Sequence, residues 1–185
     1  MEQKWSYNRT FQVPTKLFGI KRKKGFSVAI QKTNVMRILD TAKINYNVYT
    51  YDSKGGAIDG ISVAEKIGQP VVSVYKTLVT RGNSKNYFVF VIPVSKELNL
   101  KAAAKAVGEK SIEMIRVDEI NKVTGYIRGG CSPIGMKKDY RTVIDSTCKD
   151  LDTFIFSAGK IGFQVEVSPK ELIEFIKADV ESITE

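Results

Sequence analysis

The chain has 185 residues, the length of one globular domain, and is 43% hydrophobic and 26% charged. It contains no histidine and two cysteines, Cys131 and Cys148, which excludes histidine-based triads, Cys–His dyads and four-ligand structural zinc sites. The net charge of +9 favours an anionic partner, of which nucleic acid is the commonest.

The charge is unevenly distributed along the chain. Residues 1–30 carry seven Lys or Arg against one acid, whereas residues 165–185 carry two against six. No run approaches the ~18–20 apolar residues that cross a membrane, and residues 1–30 lack the apolar core of a secretory signal. We expect a cytoplasmic protein with free thiols, a basic extension over residues 1–30 and an ordered domain over residues 31–185. The run Lys21-Arg22-Lys23-Lys24 is either a nucleic-acid-binding arm or a solvated tail.

The first half of the domain is predicted from apolar periodicity and turn residues. Its elements are a helix capped by Thr33, a strand over Asn45–Tyr51, a helix from a Ser62–Glu65 capping box through Ile67, and a hairpin of Tyr75–Thr80 with Tyr87–Val91. Asp59-Gly60 is interpreted as turn punctuation before the second helix.

The second half is predicted in the same way. Its elements are a helix from Asn99 to Gly108, a short helix over Asp118–Val123, strands at Thr142–Ile144, Thr153–Phe156 and Phe163–Val167, and a last helix. The last helix has Ser168 as its N-cap, Pro169 as its first residue and Glu171 completing a capping box. Its predicted buried stripe consists of Leu172, Ile173, Phe175 and Ile176. Interspersed helices and hairpins favour a mixed α/β sheet over a doubly wound parallel one. Neither GxGxxG nor GxxxxGK[ST] occurs, which disfavours Rossmann and P-loop folds.

The most unusual local sequence is TGYIRGGCSPIGMKK, residues 124–138. Its four glycines let a ligand approach the backbone closely, and successive amides in such a loop can bind a carboxylate, phosphate or carbonyl oxygen. A chain of tight turns is the purely structural alternative. Cys131 lies in this loop, but without a histidine base it is better interpreted as a small apolar filler than as a nucleophile.

Lys76 lies inside an apolar run, VYKTLV. In an alternating strand it shares one face with Leu78 and Thr80, opposite Thr77. Either its stem lies along an edge strand with the ammonium in water, or the ammonium projects into a cleft and binds an anion. The position alone leaves both interpretations open.

Three separated motifs stand in register: YKTLV around Lys76, TGYIRGGCSPIG over residues 124–135, and SAGKIGFQVEVSPKEL over residues 157–172. On the basis of these motifs, the chain from about Lys32 to Lys177 closely resembles the bacterial YbaK-type Cys-tRNA(Pro) deacylases. These are free-standing relatives of the editing domain of prolyl-tRNA synthetases. The resemblance implies a single α/β domain with a mixed, barrel-like sheet flanked by helices. It also implies removal of cysteine wrongly attached to tRNA(Pro), with no metal or cofactor and with the synthetase as a possible partner. Residues 1–30 lie outside the resemblance.

The resemblance also implies a site. Lys76 matches the family's essential lysine. The expected substrate-binding positions are Tyr51, Thr77, Gly129, Gly130, Ser132, Ser157, Gly159 and Gln164. Two positions depart from the family pattern, because Gln164 stands where an aspartate is expected and Ile58 where an aromatic is expected. An amide at position 164 can still form hydrogen bonds.

The implied mechanism needs no protein nucleophile, because the substrate's own thiol attacks its ester carbonyl and releases a cyclic thioester. This agrees with the absence of histidine, and positioning of a held thiol can supply an effective molarity of ~10⁵ M or more. Two other functions stay open. One is a deacylase for another mischarged amino acid, such as alanine or serine, which the changes at Gln164 and Ile58 keep open. The other is a non-catalytic module that binds tRNA or a synthetase, against which Lys76 and the intact Gly-rich loop argue.

Overall fold

The computed structural model describes residues 31–54 and 58–185. They belong to one compact unit, Gln31–Glu185, in which five α-helices and eight strands are described. None of the described helices is long and apolar enough to cross a membrane. The predicted extension over residues 1–30 lies outside the described residues.

The helices are short, amphipathic and close to their predicted positions. They are α1 (Asn34–Ala42), α2 (Gly60–Ile67), α3 (Leu100–Val107), α4 (Val117–Thr124) and α5 (Pro169–Ile176). Two predicted caps are confirmed: Thr33 Oγ1 accepts from the Met36 amide at 3.3 Å, and Asn99 Oδ1 accepts from the Ala102 amide at 2.9 Å. Each cap satisfies an amide that the first helical turn leaves without an intrahelical partner.

The predicted start of α2 is wrong by three residues. Asp59, interpreted from sequence as a turn residue, is its N-cap and accepts from the amides of Ile61 and Ser62 at 3.1 and 3.0 Å. Ser62 Oγ donates to Asp59 Oδ2 at 2.6 Å instead of capping the helix itself. A carboxylate accepts several hydrogen bonds at once and also complements the positive helix N-terminus, so it displaces the serine from this role.

The last helix begins where predicted, with Pro169 as its first residue, but Ser168 makes no side-chain capping hydrogen bond. The predicted capping box with Glu171 is therefore wrong. The buried stripe is also narrower than predicted: Leu172 is fully buried, whereas Phe175 is 40% exposed. A short helix on the surface of a small domain has one buried row, and Phe175 lies at its margin.

The strands form two sheets. They are β1 (Asn47–Thr50), β2 (Tyr75–Gly82), β3 (Tyr87–Pro93), β4 (Ile112–Met114), β5 (Arg141–Asp145), β6 (Phe154–Ser157), β7 (Phe163–Val167) and β8 (Asp179–Glu181). One sheet is antiparallel with the order β1-β7-β6, and the other is mixed with the order β4-β2-β3-β5-β8. The predicted hairpin is the β2–β3 pair, while β4 and β8 were not predicted. The single α/β domain with mixed pairing is confirmed. The predicted barrel-like sheet does not close: it is divided into two open sheets, which an isolated bridge between Val74 and Ile155 links.

The alternation of β2 divides its side chains between two apolar clusters. Tyr75 and Val79 belong to the main core, which also contains Phe154 and Phe156. Leu78 packs on the opposite face, against the cluster that joins β3 to α3. The predicted assignment of β2 side chains to two faces is thus confirmed. Packing on both faces fixes the orientation of the strand between the two apolar clusters.

Candidate active site

A cavity of about 950 Å³ lies beside the N-terminal half of β2. Its walls come from β2, the start of α2, the loop after β3, the β4–α4 segment, the Gly-rich loop and the β6–β7 pair. The lining includes these residues singled out from the sequence: Ile58, Lys76, Thr77, Gly129, Cys131, Ser157 and Gln164. The three motifs therefore meet at one place although they are far apart in the chain.

The cavity exists because one half of β2 has an open edge. Strand β3 pairs with β2 along Tyr75–Arg81, but β4 pairs only with Thr80–Gly82. The cavity takes the place of a strand beside Lys76 and Thr77. Since successive strand residues point to opposite faces, these two side chains both line the cavity only because it extends around the open edge.

Lys76 forms an ion pair at the cavity. Its Nζ lies 2.9 Å from Glu97 Oε1, and the side chains of Lys76 and Glu97 are 27% and 81% exposed. Lys76 therefore lies at the open edge of β2 and lines the cavity, and the anion that it holds in the structure is a carboxylate of the protein itself. Sequence reasoning did not identify Glu97. It lies in the loop after β3, where neither periodicity nor a motif marks it.

Two polar residues that line the cavity, Thr77 and Gln164, make no side-chain hydrogen bond within the described part of the chain. Thr77 Oγ1 is buried and has no hydrogen-bond partner among the described residues. Gln164 is only 5% exposed, and its side chain makes no hydrogen bond within the described part of the chain. Ser157 lies directly opposite Gln164 in the β6–β7 pair, and its Oγ accepts from the Gly159 amide at 3.3 Å. Buried polar groups normally have partners, so the Gln164 amide at the cavity wall is free to bind a ligand, whereas Thr77 Oγ1 lies beneath the cavity surface.

The Gly-rich loop contributes a tight turn to the cavity wall. The Gly130 amide donates to Ile127 O at 2.9 Å, and Gly129 has φ +82°. A type II turn requires a positive φ at its third residue, so glycine is needed at position 129. The turn presents Arg128 and Gly129 to the cavity, while the Gly130 amide is already used within the turn.

Four predicted site residues do not line the cavity. Ser132 is fully buried within the loop. Gly130 and Gly159 are packing positions: an added Cβ would lie 3.3 Å from backbone at Gly130 and 2.9 Å from the Tyr126 ring at Gly159. Tyr51 is tied by its amide to the β6–β7 loop. None of the four therefore contacts the cavity in the structure, and the prediction that they bind substrate gains no support from it.

Both thiols are held in the protonated form. Burial raises the pKa of Cys131 to about 12 and that of Cys148 to about 11. Cys148 lies in the core, whereas Cys131 lines the cavity. A thiol with a pKa near 12 is almost entirely un-ionised at neutral pH, and the thiol form is a poor nucleophile. The filler interpretation of Cys131 agrees with this.

Of the residues that the structure describes, four that line the cavity are charged: Asp59, Glu97, Lys76 and Arg128. The Asp59 carboxylate is occupied at the N-terminus of α2, and Lys76 and Glu97 pair with each other. Arg128 is exposed and pairs with no carboxylate of the described residues. Within residues 31–54 and 58–185, no three potential metal-ligating side chains come together.

Residues 59–175 match the family model described as an aminoacyl-tRNA editing domain. An Enterococcus faecalis protein named "Putative Cys-tRNA(Pro)/Cys-tRNA(Cys) deacylase EbsC" is 41% identical over 154 residues, which cover 83% of this chain and 94% of that protein. A proline–tRNA ligase of Fervidobacterium nodosum is 29% identical over 93 residues, which cover 50% of this chain and 16% of that enzyme.

One solved structure shows the fold. A crystal structure of "a putative trans-editing enzyme for prolyl tRNA synthetase" superposes with a TM-score of 0.72 at 21% identity, covering 82% of this chain and 96% of the other. At this identity the likeness concerns the arrangement of the elements. The matched segment, residues 59–175, includes the cavity residues from Asp59 to Gln164.

Proposed function

Because the chain belongs to the aminoacyl-tRNA editing domain family, we propose that it is a free-standing deacylase that removes cysteine wrongly attached to tRNA(Pro). The name of the Enterococcus faecalis relative, which is 41% identical and almost completely covered, supports this substrate. The observation that carries the proposal is Lys76, whose ammonium lies in the cavity where the three family motifs meet.

Lys76 is proposed to bind the aminoacyl ester. An ammonium stabilises negative charge as it develops on a carbonyl oxygen or on the departing ribose oxygen, and it does so best away from bulk water. Glu97 is the exposed partner of the pair, so it can move away from Lys76 when the ester enters. The Gln164 amide is proposed to position the substrate, since it lines the cavity and has no protein partner in the described residues, and Thr77 is proposed to shape the wall beside it.

The chemistry is proposed to use the substrate's thiol. Its sulfur attacks the ester carbonyl carbon, the bond from that carbon to the ribose oxygen breaks, and the thiol proton ends on the ribose hydroxyl. The products are a cyclic thioester and uncharged tRNA, and water then opens the thioester to free cysteine. Two properties of the chain support this route: it has no histidine, and the one thiol that lines the cavity has a pKa of about 12.

Selectivity is proposed to come from reactivity rather than from size. A cavity of about 950 Å³ is in the range that holds ligands of drug size, so it does not exclude alanine or proline by volume. Those residues have no side-chain nucleophile and stay attached to tRNA. Serine reacts slowly, because a hydroxyl is much less ionised than a thiol.

The test is deacylation of a panel of substrates by the purified full-length chain: Cys-, Ala-, Ser- and Pro-tRNA(Pro), with Cys-tRNA(Cys) added. We expect Cys-tRNA(Pro) to be cleaved fastest and Ala- and Pro-tRNA(Pro) to be stable. Preferential cleavage of alanine or serine would replace the cysteine assignment by another editing activity. Binding of all the substrates with cleavage of none would identify a non-catalytic tRNA-binding module.

The same panel with prolyl-tRNA synthetase added tests the proposed partner. If the synthetase supplies tRNA discrimination, its addition should increase the ratio of Cys-tRNA(Pro) to Cys-tRNA(Cys) cleavage. An unchanged ratio would show that the chain selects its tRNA alone or does not select at all.

A further inference from the structure

Arg128 differs from most of the other arginines in the described part of the chain. Arg81 pairs with Glu113 and Glu119, Arg116 pairs with Asp118, and Arg141 pairs with Asp179. Arg128 has no such partner among the described residues, and the remaining 33 residues contain a single acid, Glu2. It is nevertheless one of two cations that line the cavity among residues 31–54 and 58–185.

The backbone holds Arg128 at a defined position. It is the second residue of the turn closed by the 2.9 Å bond from the Gly130 amide to Ile127 O, next to Gly129 with its φ of +82°. The turn is further fixed because Gly130 packs against the backbone of the β6–β7 loop, where an added Cβ would lie 3.3 Å from the Ile161 amide nitrogen. The guanidinium therefore projects from an anchored point of the wall into solvent at the cavity.

The cavity is larger than the aminoacyl group requires. A cysteinyl ester has about seven non-hydrogen atoms, whereas cavities of several hundred cubic ångströms hold drug-sized molecules. Apolar side chains from three elements, Ile61, Met114 and Val117, line it while remaining 44%, 46% and 56% exposed. This combination of volume, apolar rim and one unpaired cation fits a nucleoside joined to a phosphate.

The geometry points to Arg128 as the group that binds the phosphate joining the last two nucleotides of the tRNA. The inference rests on the proposed function, in which the aminoacyl ester lies at Lys76. The ester is carried by the terminal ribose, so the phosphate on the 5′ side of that ribose is the first anion outside the aminoacyl group. A guanidinium forms two parallel hydrogen bonds with phosphate oxygens, which positions as well as attracts its ligand. Lys76 does not compete for this phosphate, because in the proposed function its ammonium binds the aminoacyl ester.

The experiment compares two small substrates, the cysteine ester of adenosine and the cysteine ester of the dinucleotide CpA. They differ by one nucleotide and its phosphate. Arg128→Gln should lower kcat/KM for the CpA ester about tenfold and leave the adenosine ester unchanged. Arg128→Lys should retain part of the CpA activity, because it keeps the charge without the fork geometry. The matched control is Arg37→Gln, which removes an equal charge at an exposed residue of α1 outside the cavity and should change neither rate.

Salt dependence gives a second readout. For the CpA ester, kcat/KM should fall less steeply with salt in Arg128→Gln than in the wild type, since the attraction between guanidinium and phosphate that salt screens is lost. Equal losses on both esters would show that Arg128 acts on the aminoacyl group or on the fold, and no loss on either would show that it contacts no phosphate. Either result overturns the inference while the proposed function stands.

Failure of the proposed function gives a different pattern, because the wild-type chain would then cleave neither ester. In that event, NMR titration of the wild-type and Arg128→Gln chains with uncharged CpA and with adenosine still decides the inference. Weaker binding of CpA alone in the variant supports phosphate recognition at Arg128. Identical affinities for CpA in the two chains reject it.

Discussion

The two ends of β2 carry similar ion pairs in different surroundings. At the C-terminal end, Arg81 pairs with Glu113 at 2.8 Å and Glu119 at 3.5 Å, in a stretch that is paired with β3 on one side and β4 on the other. At the N-terminal end, Lys76 has a single carboxylate partner, Glu97, and its strand has an open edge at the cavity.

The difference shows how one strand serves both stability and function. Arg81 is itself 32% exposed, but two carboxylates, one from β4 and one from α4, hold it, so it keeps a partner when either one moves. A cation with one carboxylate that is 81% exposed can exchange it for a substrate at small cost, because exposed ion pairs contribute little. The open edge leaves the space in which the exchange occurs. We therefore expect changes at the N-terminal end to affect catalysis, and changes at the C-terminal end to affect folding stability.

The largest effect is expected when the nucleophile is removed from the substrate at the open end. Cys-tRNA(Pro) carrying an S-methylated cysteine should bind but resist deacylation by a factor on the order of 10³ or more, because the effective molarity of the held thiol is lost. The measurement is single-turnover deacylation, with the inhibition constant of the methylated substrate as a control for binding. One extra methyl-sized group costs about 10- to 200-fold through misfit and would weaken binding as well. Near-normal hydrolysis of the methylated ester would show that water attacks directly and that the thiol route is wrong.

The second effect contrasts Lys76 with Arg81 on the same strand. Lys76→Ala should fold normally and lose about 10- to 150-fold in kcat/KM, the range of one charge-assisted contact in the transition state. Arg81→Ala should lower Tm, because it leaves Glu113 and Glu119 without their cation, and should retain the rate of the folded fraction. Lys105→Ala, on the exposed face of α3, controls for the loss of a positive charge. A folded Lys76→Ala chain with wild-type activity would remove Lys76 from the site.

The difference between the two ends also explains what the sequence could predict. Elements that depend on interactions between residues close in the sequence could be predicted from it. Thr33 and Asn99 cap their helices as predicted, and the hairpin of β2 and β3 follows from two β-rich runs around a turn. The family motifs predicted that Lys76, Gly129 and Gln164 belong to one site, and the fold brings all three to the cavity.

Features that depend on long-range contacts could not be predicted in this way. The open edge of β2 depends on how far the three-residue strand β4 extends along it, and no pattern in residues 112–114 marks that strand. Glu97 reaches Lys76 from a loop 21 residues away, and the lack of a partner for Arg128 is apparent only when the surrounding carboxylates are in place. Asp59 was assigned to a turn because Asp-Gly is typical of turns, yet the adjacent helix N-terminus made it a cap.

The third effect is smaller and compares the two carboxylates. Glu97→Gln should change kcat/KM by no more than about fivefold, the range of an exposed ion pair, and leave Tm unchanged. Glu113→Gln should leave kcat/KM unchanged and lower Tm slightly. Arg81 holds the pKa of Glu113 below its ordinary value of 4.5, so the stability that this pair contributes is present above pH 4.5 and is lost as the pH falls through the lowered pKa.

The measurement for this pair is Tm against pH for the wild-type chain and both variants. The Tm difference between wild type and Glu113→Gln should be largest near neutral pH and disappear at acidic pH. A Tm difference that stays constant with pH would show that the glutamine disturbs packing rather than charge. A large loss of activity in Glu113→Gln would contradict the separation of roles along β2.

The smallest effect on activity is expected at the two thiols. With a pKa of about 12, Cys131 has about a thousandfold less thiolate at pH 8 than a thiol of ordinary pKa 9, so iodoacetamide should alkylate it correspondingly slowly. Cys131→Ala should keep kcat/KM within about twofold, because the nucleophile is proposed to belong to the substrate. Cys148→Ala should also keep the activity but lose about 1 kcal/mol of folding stability, since Cys148 is fully buried in the core.

Abolished turnover in a well-folded Cys131→Ala chain would instead place a protein nucleophile at the open end of β2. Lys76 and the Gly129 turn would then serve covalent catalysis, and the resistance of the methylated substrate would have to be explained by misfit alone.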